Sequence, residues 1–279
     1  SERVESSDKW YRIEVSRLAY YYNTMSESEG YILNAVQTPT PLQTVYRSIK
    51  DGNTTKEAVE ADTDLPENLL SQGFSGLQQI GLIGREEPDF YTVDYPWDTG
   101  DEELNFRLAV LHQLATDTNP DDWGKQSVVL LNYQYLLEEN VQTFESNAES
   151  VYSRMNTFAR DEGYEPRSKQ GPIDMNEPKM TNWTRLAEFL GLIYKVSGRT
   201  HTTYPDEDLI YESVKLATED QGKDRITIQS YEEWLNENLL LVNMSPDGIP
   251  APLSRVLFRL VADERIRIVE SGDAGAINL

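Results

Sequence analysis

Apolar and aromatic residues recur at helical intervals from Trp10 to Tyr22 (Trp10, Ile13, Leu18, Tyr21), which predicts an amphipathic first helix. Residues 23–30 are polar, and the prolines at 39 and 41 break the chain before the next helix. The stretch 41–94 is the most regular. A helix after Pro41 carries Leu42, Val45 and Ile49 and stops at Asp51-Gly52. Thr54 or Thr55 is placed to cap a short second helix with Glu57 in its first turn. Pro66 opens a third helix carrying Leu69, Leu70, Phe74, Leu77 and Ile80. Leu82-Ile83 then begins an extended run, 86–89 turns, and Phe90 to Val93 has strand character.

Further on, 102–116 and 121–139 read as two helices of a connecting helical layer. The ending of the third helix then returns. Gly81-Leu82-Ile83 leads into a hairpin, and so does Gly191-Leu192-Ile193, followed by 195–204. Val256 to Val261 precedes Ile266 to Val269 and Ala276-Ile277 in the same way. Helix, strand, turn, strand thus occurs three times, an internal repeat. The expected fold class is mainly α with small β-hairpins, α+β. The expected segments are 1–40 helical, 41–100 a first module, 101–150 a helical connector, 151–206 a second module and 207–279 a third.

Charge changes the picture next. The chain of 279 residues holds 48 acidic and 25 basic residues, a net charge of −23. The acids are scattered singly and in pairs, so they do not form a tail. At ~1 M salt the Debye length falls to about 3 Å, and self-repulsion on such a surface is screened. The composition resembles that of haloarchaeal proteins. Residues 1–150 carry 10 basic against 27 acidic side chains, 151–200 carry 8 against 6, and 201–279 carry 7 against 15. An anionic partner is therefore sought first in 151–200.

Three short helices and a hairpin in 41–94 resemble winged helix-turn-helix domains, here of haloarchaeal type, over about a fifth of the chain. The resemblance implies an array of winged-helix modules in which the third helix and the wing contact double-stranded DNA. In the first module those elements offer Gln72, Ser75, Gln79 and Arg85, with no Lys or Arg on the helix, so a protein contact is as well supported there as DNA. The second module offers Lys179, Thr181, Asn182 and Arg185 at the start of a helix and Lys195 and Arg199 on its hairpin. Arg154, Arg167 and Lys169 lie just upstream. Asn and Arg are the side chains that read adenine and guanine edges; ordinary solvated positions are the plain alternative. Arg255, Arg259, Arg265 and Arg267 form a third basic group, but alternation with Ile266 and Ile268 fits one face of a half-buried strand.

Catalytic chemistry is not legible. The chain has no cysteine, so disulfides, thiolate metal sites and cysteine nucleophiles are excluded. His112 and His201 lack metal-ligand spacing, and His112 sits among leucines as a packed imidazole would. Gly73, Gly76, Gly81 and Gly84 are not followed by Lys-Ser or Lys-Thr, so no nucleotide loop is expected. No cofactor and no metal are expected. No apolar run approaches the ~20 residues of a membrane span, and a cytoplasmic location follows by default. Two readings result. One is a non-catalytic DNA-binding protein, either a transcription regulator or the DNA-recognition subunit of a DNA-processing or antiviral-defence assembly. The other is a scaffold whose modules dock other protein subunits without nucleic acid.

Overall fold

The computed structural model describes residues 30–119, 122–168, 171–244, 248–271 and 274–278. The helix expected over 10–22 and Lys169 lie outside them. The fold is α+β, helices with small antiparallel sheets.

A four-residue helix, α1 (Ile32–Ala35), precedes α2 (Thr40–Lys50), α3 (Lys56–Thr63) and α4 (Glu67–Ile80). Thr55 is the cap of α3, its hydroxyl accepting from the Ala58 amide at 3.2 Å. Helices α2 and α4 approach closely because α4 carries glycine where they meet. A Cβ on Gly73 would lie 2.6 Å from Val45 Cγ2, and one on Gly76 would run into Leu42 and Val36. A hairpin of β1 (Ile83–Glu86) and β2 (Asp89–Thr92) follows, with Ile83 opposite Thr92. The Phe90 amide also donates to the Thr54 carbonyl at 2.7 Å, which ties the start of α3 to the hairpin.

The next helix, α5 (Glu102–Thr116), is the predicted connector, opened by Asp101, whose carboxylate accepts from the amides of Glu103 and Leu104. It is followed by a two-residue ladder, β3 (Thr118–Asn119) with β4 (Asp122–Trp123). Then come α6 (Val128–Glu138), β5 (Thr143–Glu145), α7 (Glu149–Asp161), a small ladder of β6 (Arg167–Ser168) and β7 (Gly171–Pro172), α8 (Glu177–Phe189), β8 (Tyr194–Ser197) and β9 (Thr200–Thr202). The last part contains α9 (Glu207–Asp220), β10 (Arg225–Thr227), α10 (Ile228–Asn238), α11 (Ala251–Ala262), β11 (Arg267–Ser271) and β12 (Ala274–Asn278).

Residues 128–202 and 207–278 follow one plan: helix, strand, helix, helix, hairpin. In both, the lone strand pairs with the last strand of the hairpin, giving the orders β5-β9-β8 and β10-β12-β11. Residues 40–92 follow it too, with the single Phe90–Thr54 bond in place of the lone strand. The third helix ends alike each time. The amides of Leu82, Leu192 and Arg265 reach back five residues to the carbonyls of Leu77, Ala187 and Leu260 at 2.8–2.9 Å, a Schellman closure. It needs a left-handed residue, supplied by Gly81 (φ 87°), Gly191 (φ 76°) and Glu264 (φ 60°). The second of these repeats begins at α6, a helix that the sequence reading assigned to the connector.

Helices α5 and α6 are the centre of the core. Val128 to Leu137 is buried at every position but Gln134, and α5 buries seven residues from Phe106 to Ala115. A helix apolar all round belongs inside. Accordingly α5 packs against α4, α6, α9 and α10, so all three units share one hydrophobic core.

Candidate nucleic-acid interface

The polar residues expected to read DNA on α8 are engaged within the chain. Asn176 caps the helix at the Lys179 amide, 3.1 Å away. The Lys179 ammonium donates to the Asp174 carbonyl at 2.6 Å, and partial burial pulls its pKa below the usual lysine value. Thr181 is half-buried, and its carbonyl accepts from the Thr184 hydroxyl at 3.0 Å. The Asn182 amide nitrogen donates to the Leu33 carbonyl at 2.8 Å, and Arg185 Nη1 donates to the Gln37 carbonyl at 3.1 Å. Arg199 pairs with Glu177 at 2.9 Å. The Lys195 side chain stands exposed on the edge strand β8 and makes no hydrogen bond or ion pair among the described residues. Arg154 lies beside the Tyr135 hydroxyl, and Arg167 pairs with Glu165 at 3.6 Å. Among the described residues the predicted group is therefore spread over α7, β6, α8 and the hairpin, and Asn182 and Arg185 bind the carbonyls of Leu33 and Gln37.

Helix α4 meets the same segment from the other side. Gln72 Oε1 accepts from the Gln37 amide at 3.1 Å. Ser75 Oγ accepts from Gln79 at 2.9 Å, and a Cβ on Gly30 would run into the Gln79 side chain. Gln126 completes the hold: its Oε1 accepts from the Ile32 amide at 2.9 Å and its Nε2 donates to the Gly30 carbonyl at 3.0 Å. Residues 30–37 thus lie between α4 and α8, with Tyr31, Ile32, Leu33 and Val36 buried. A side-chain amide offers a donor and an acceptor; it pairs with a peptide group as readily as with an adenine edge. Arg85, on β1, pairs with Glu87 at 3.0 Å and lies over the Phe90 ring.

The third unit is different. The outward face of α11 carries Ser254, Arg255, Phe258 and Arg259, all exposed and at helical spacing. No acidic residue occurs in this helix, and Arg255 has no partner among the described residues. Arg259 pairs with Asp263 at 2.9 Å, and Phe258 is 74% exposed. Arg267 is exposed on β11, while Arg265 is structural, bound to Asp208 at 2.7 Å and stacked on Tyr211. The sequence reading considered these arginines and set them aside because it weighed the strand and not the helix.

Both histidines are packed. His112 Nδ1 donates to the Asn238 carbonyl at 3.1 Å beside Trp97, and His201 Nδ1 donates to the Arg199 carbonyl at 2.9 Å while stacking on Phe144. Burial holds both below the ordinary histidine pKa. The unfolded chain then takes up protons as pH falls past about 6.5 while the folded chain resists, so stability falls as pH drops through the ordinary histidine range. His201→Gln is expected to shallow that slope in denaturant melts taken across the interval; an unchanged slope would remove His201 from it. No cluster of three or more His, Asp or Glu among the described residues is arranged to hold a metal ion. No described helix is long and apolar enough to cross a membrane.

No family model, curated protein or solved structure matches this chain.

Proposed function

We propose that the chain is a non-catalytic DNA-binding protein of a halophilic cell, built of three winged-helix modules of which the third makes the contact. The helix–strand–helix–helix–hairpin order is the layout in which a third helix enters the major groove. In the first two modules that helix is engaged with residues 30–37. In the third it is open, and this carries the reading: Ser254, Arg255, Phe258 and Arg259 form one exposed face of a helix that carries no acidic residue, with Asp263 just beyond it pairing Arg259, on a chain of net charge −23. Arginine there would bind phosphate or a guanine edge, and phenylalanine would meet a thymine methyl. Arg267 on the hairpin would add a phosphate contact. Such a protein would serve as a regulator or as the recognition subunit of a DNA-processing or antiviral-defence assembly.

Fluorescence anisotropy on duplex DNA at ~1 M KCl tests it. Arg255→Ala and Arg259→Ala should each weaken binding by about 5- to 100-fold, equivalent to ~1–3 kcal/mol. Lys195→Ala should weaken it little. An unaltered affinity in the Arg255→Ala, Arg259→Ala double variant, or no binding by the wild type, would overturn the proposal. The protein-scaffold reading is favoured by a separate observation: Phe258, Ile268, Tyr194 and Val196 are all exposed apolar side chains. Loss of a protein partner in Phe258→Ser, with DNA binding absent in the wild type, would select it.

A further inference from the structure

A cleft of about 290 Å³ opens between α2, α5 and the segment 93–98 that leaves β2. Four aromatic side chains line it: Tyr46 from α2, Phe106 from α5, and Tyr95 and Trp97 from that segment. The Tyr46 and Phe106 rings are centred 5.2 Å apart at 52°, and those of Tyr95 and Trp97 5.3 Å apart at 88°. Rings tilted so steeply do not stack on one another, and their faces point in different directions. Trp97 is held in place by His112 at 4.8 Å and Trp234 at 5.3 Å, ring centre to ring centre. The Tyr95 hydroxyl is buried while the residue as a whole is partly exposed, so the ring is what it can offer a ligand.

The charge around these rings is negative. Asp51, Asp94, Asp98 and Glu102 line the cleft against Arg47 and Lys50, and all six are exposed, so they form its rim. Arg47 is committed to Glu102 at 2.8 Å, and the Lys50 charge acts on Asp98. That leaves Asp51 and Asp94, whose carboxylates make no ion pair or hydrogen bond among the described residues. Burial first, and the Asp94 charge second, raise the Tyr46 pKa above the usual phenol value, so its ring stays neutral. The face of an aromatic ring is the negative part of its quadrupole and attracts a cation, and the carboxylates at the rim add to that field. An anion is repelled by both. A hard metal ion needs oxygen ligands on all sides, which rings do not supply. A methylated ammonium is the cation that aromatic faces suit.

We propose that this cleft binds a small organic cation with a methylated ammonium head. The head lies against Tyr46 and Trp97, and Asp51 and Asp94 balance its charge from the rim. The size fits: a cavity of ~150 Å³ takes up benzene, so this one has room for a trimethylammonium group and a short tail. The site is independent of the DNA surface on α11.

Choline is the probe, on the full chain at ~1 M KCl. Its neutral isostere, 3,3-dimethylbutan-1-ol, carries carbon in place of the ammonium nitrogen and is the control. Choline should bind at one site with a Kd on the order of 0.1–1 mM, and the alcohol about fivefold to thirtyfold more weakly. Tyr46→Leu should weaken choline about fivefold, whereas Tyr46→Phe, which keeps the ring, should stay within about twofold. In the wild-type protein the choline methyl protons should show cross-relaxation with the ring protons of Tyr46 and Trp97, which keeps the test decisive if a variant fails to fold. No saturable binding up to ~20 mM, the alcohol binding as tightly as choline, or cross-relaxation confined to other aromatic residues would each overturn the proposal.

Discussion

Trp183→Ala should lower the stability of the folded chain by about 4 kcal/mol. Trp183 is fully buried on α8, its indole nitrogen donates to the Val129 carbonyl of α6 at 3.1 Å, and its ring lies 6.3 Å from that of Phe144 on β5. One side chain therefore joins the first helix, the lone strand and the third helix of the second unit. Alanine would remove most of the buried ring and leave a cavity, because three elements of fixed backbone cannot close over it. The thermal midpoint should fall by roughly 10 °C, given about 2–4 °C per kcal/mol for a chain of this size. Trp183→Phe keeps much of the volume and should cost about half as much. A loss below about 1 kcal/mol for the alanine variant in denaturant melts would mean that this core is not packed as described.

Salt should move stability almost as far, in the opposite direction. A net charge of −23 spread over the surface repels itself, and folding concentrates it. Raising KCl from ~0.1 M to ~2 M shortens the Debye length from about 10 Å to under 3 Å and removes most of that repulsion. The same salt weakens the exposed ion pairs, such as Arg47 with Glu102 and Arg259 with Asp263, but such pairs contribute at most about 1 kcal/mol each. Repulsion relief wins. The midpoint is expected to rise by roughly 10 °C or more, equivalent to about 3–5 kcal/mol. Sucrose at matched osmolality separates screening from solute exclusion. A flat response to KCl would remove the halophilic reading of the composition.

Local signals were legible and distant ones were not. The cap at Thr55, the opening at Pro66 and the Gly81-Leu82-Ile83 exit each depend on neighbours within five residues, and all three lie where the sequence places them. The helix α6 was read as a connector because its residues are buried nearly all round, which erases the 3.6-residue stripe that marks a unit's first helix. Asn182, Arg185 and Gln72 looked like surface readers because their partners are backbone groups 35 to 149 positions away, and no local pattern reports such a partner. Phe258 was not singled out, although its position opposite Leu253, Val256, Leu257 and Leu260 is the signal in the sequence that places it on the outward face of α11.

Residues 30–37 also impose an order on biosynthesis. Their holding groups, Gln126 and Asn182, follow them by 94 and 149 positions. At about 5–20 residues per second, a ribosome adds Asn182 roughly 8–30 s after Leu33. Through that interval Ile32 and Leu33 have no α8 to cover them and the Leu33 carbonyl has no amide to bind. Units one and two can each begin to gather their own helices while the chain grows, but the joint between them closes only once α8 has been made. A nascent chain that stalls before α8 would leave the apolar strip of residues 31–36 half covered, and that strip is where a chaperone would take hold.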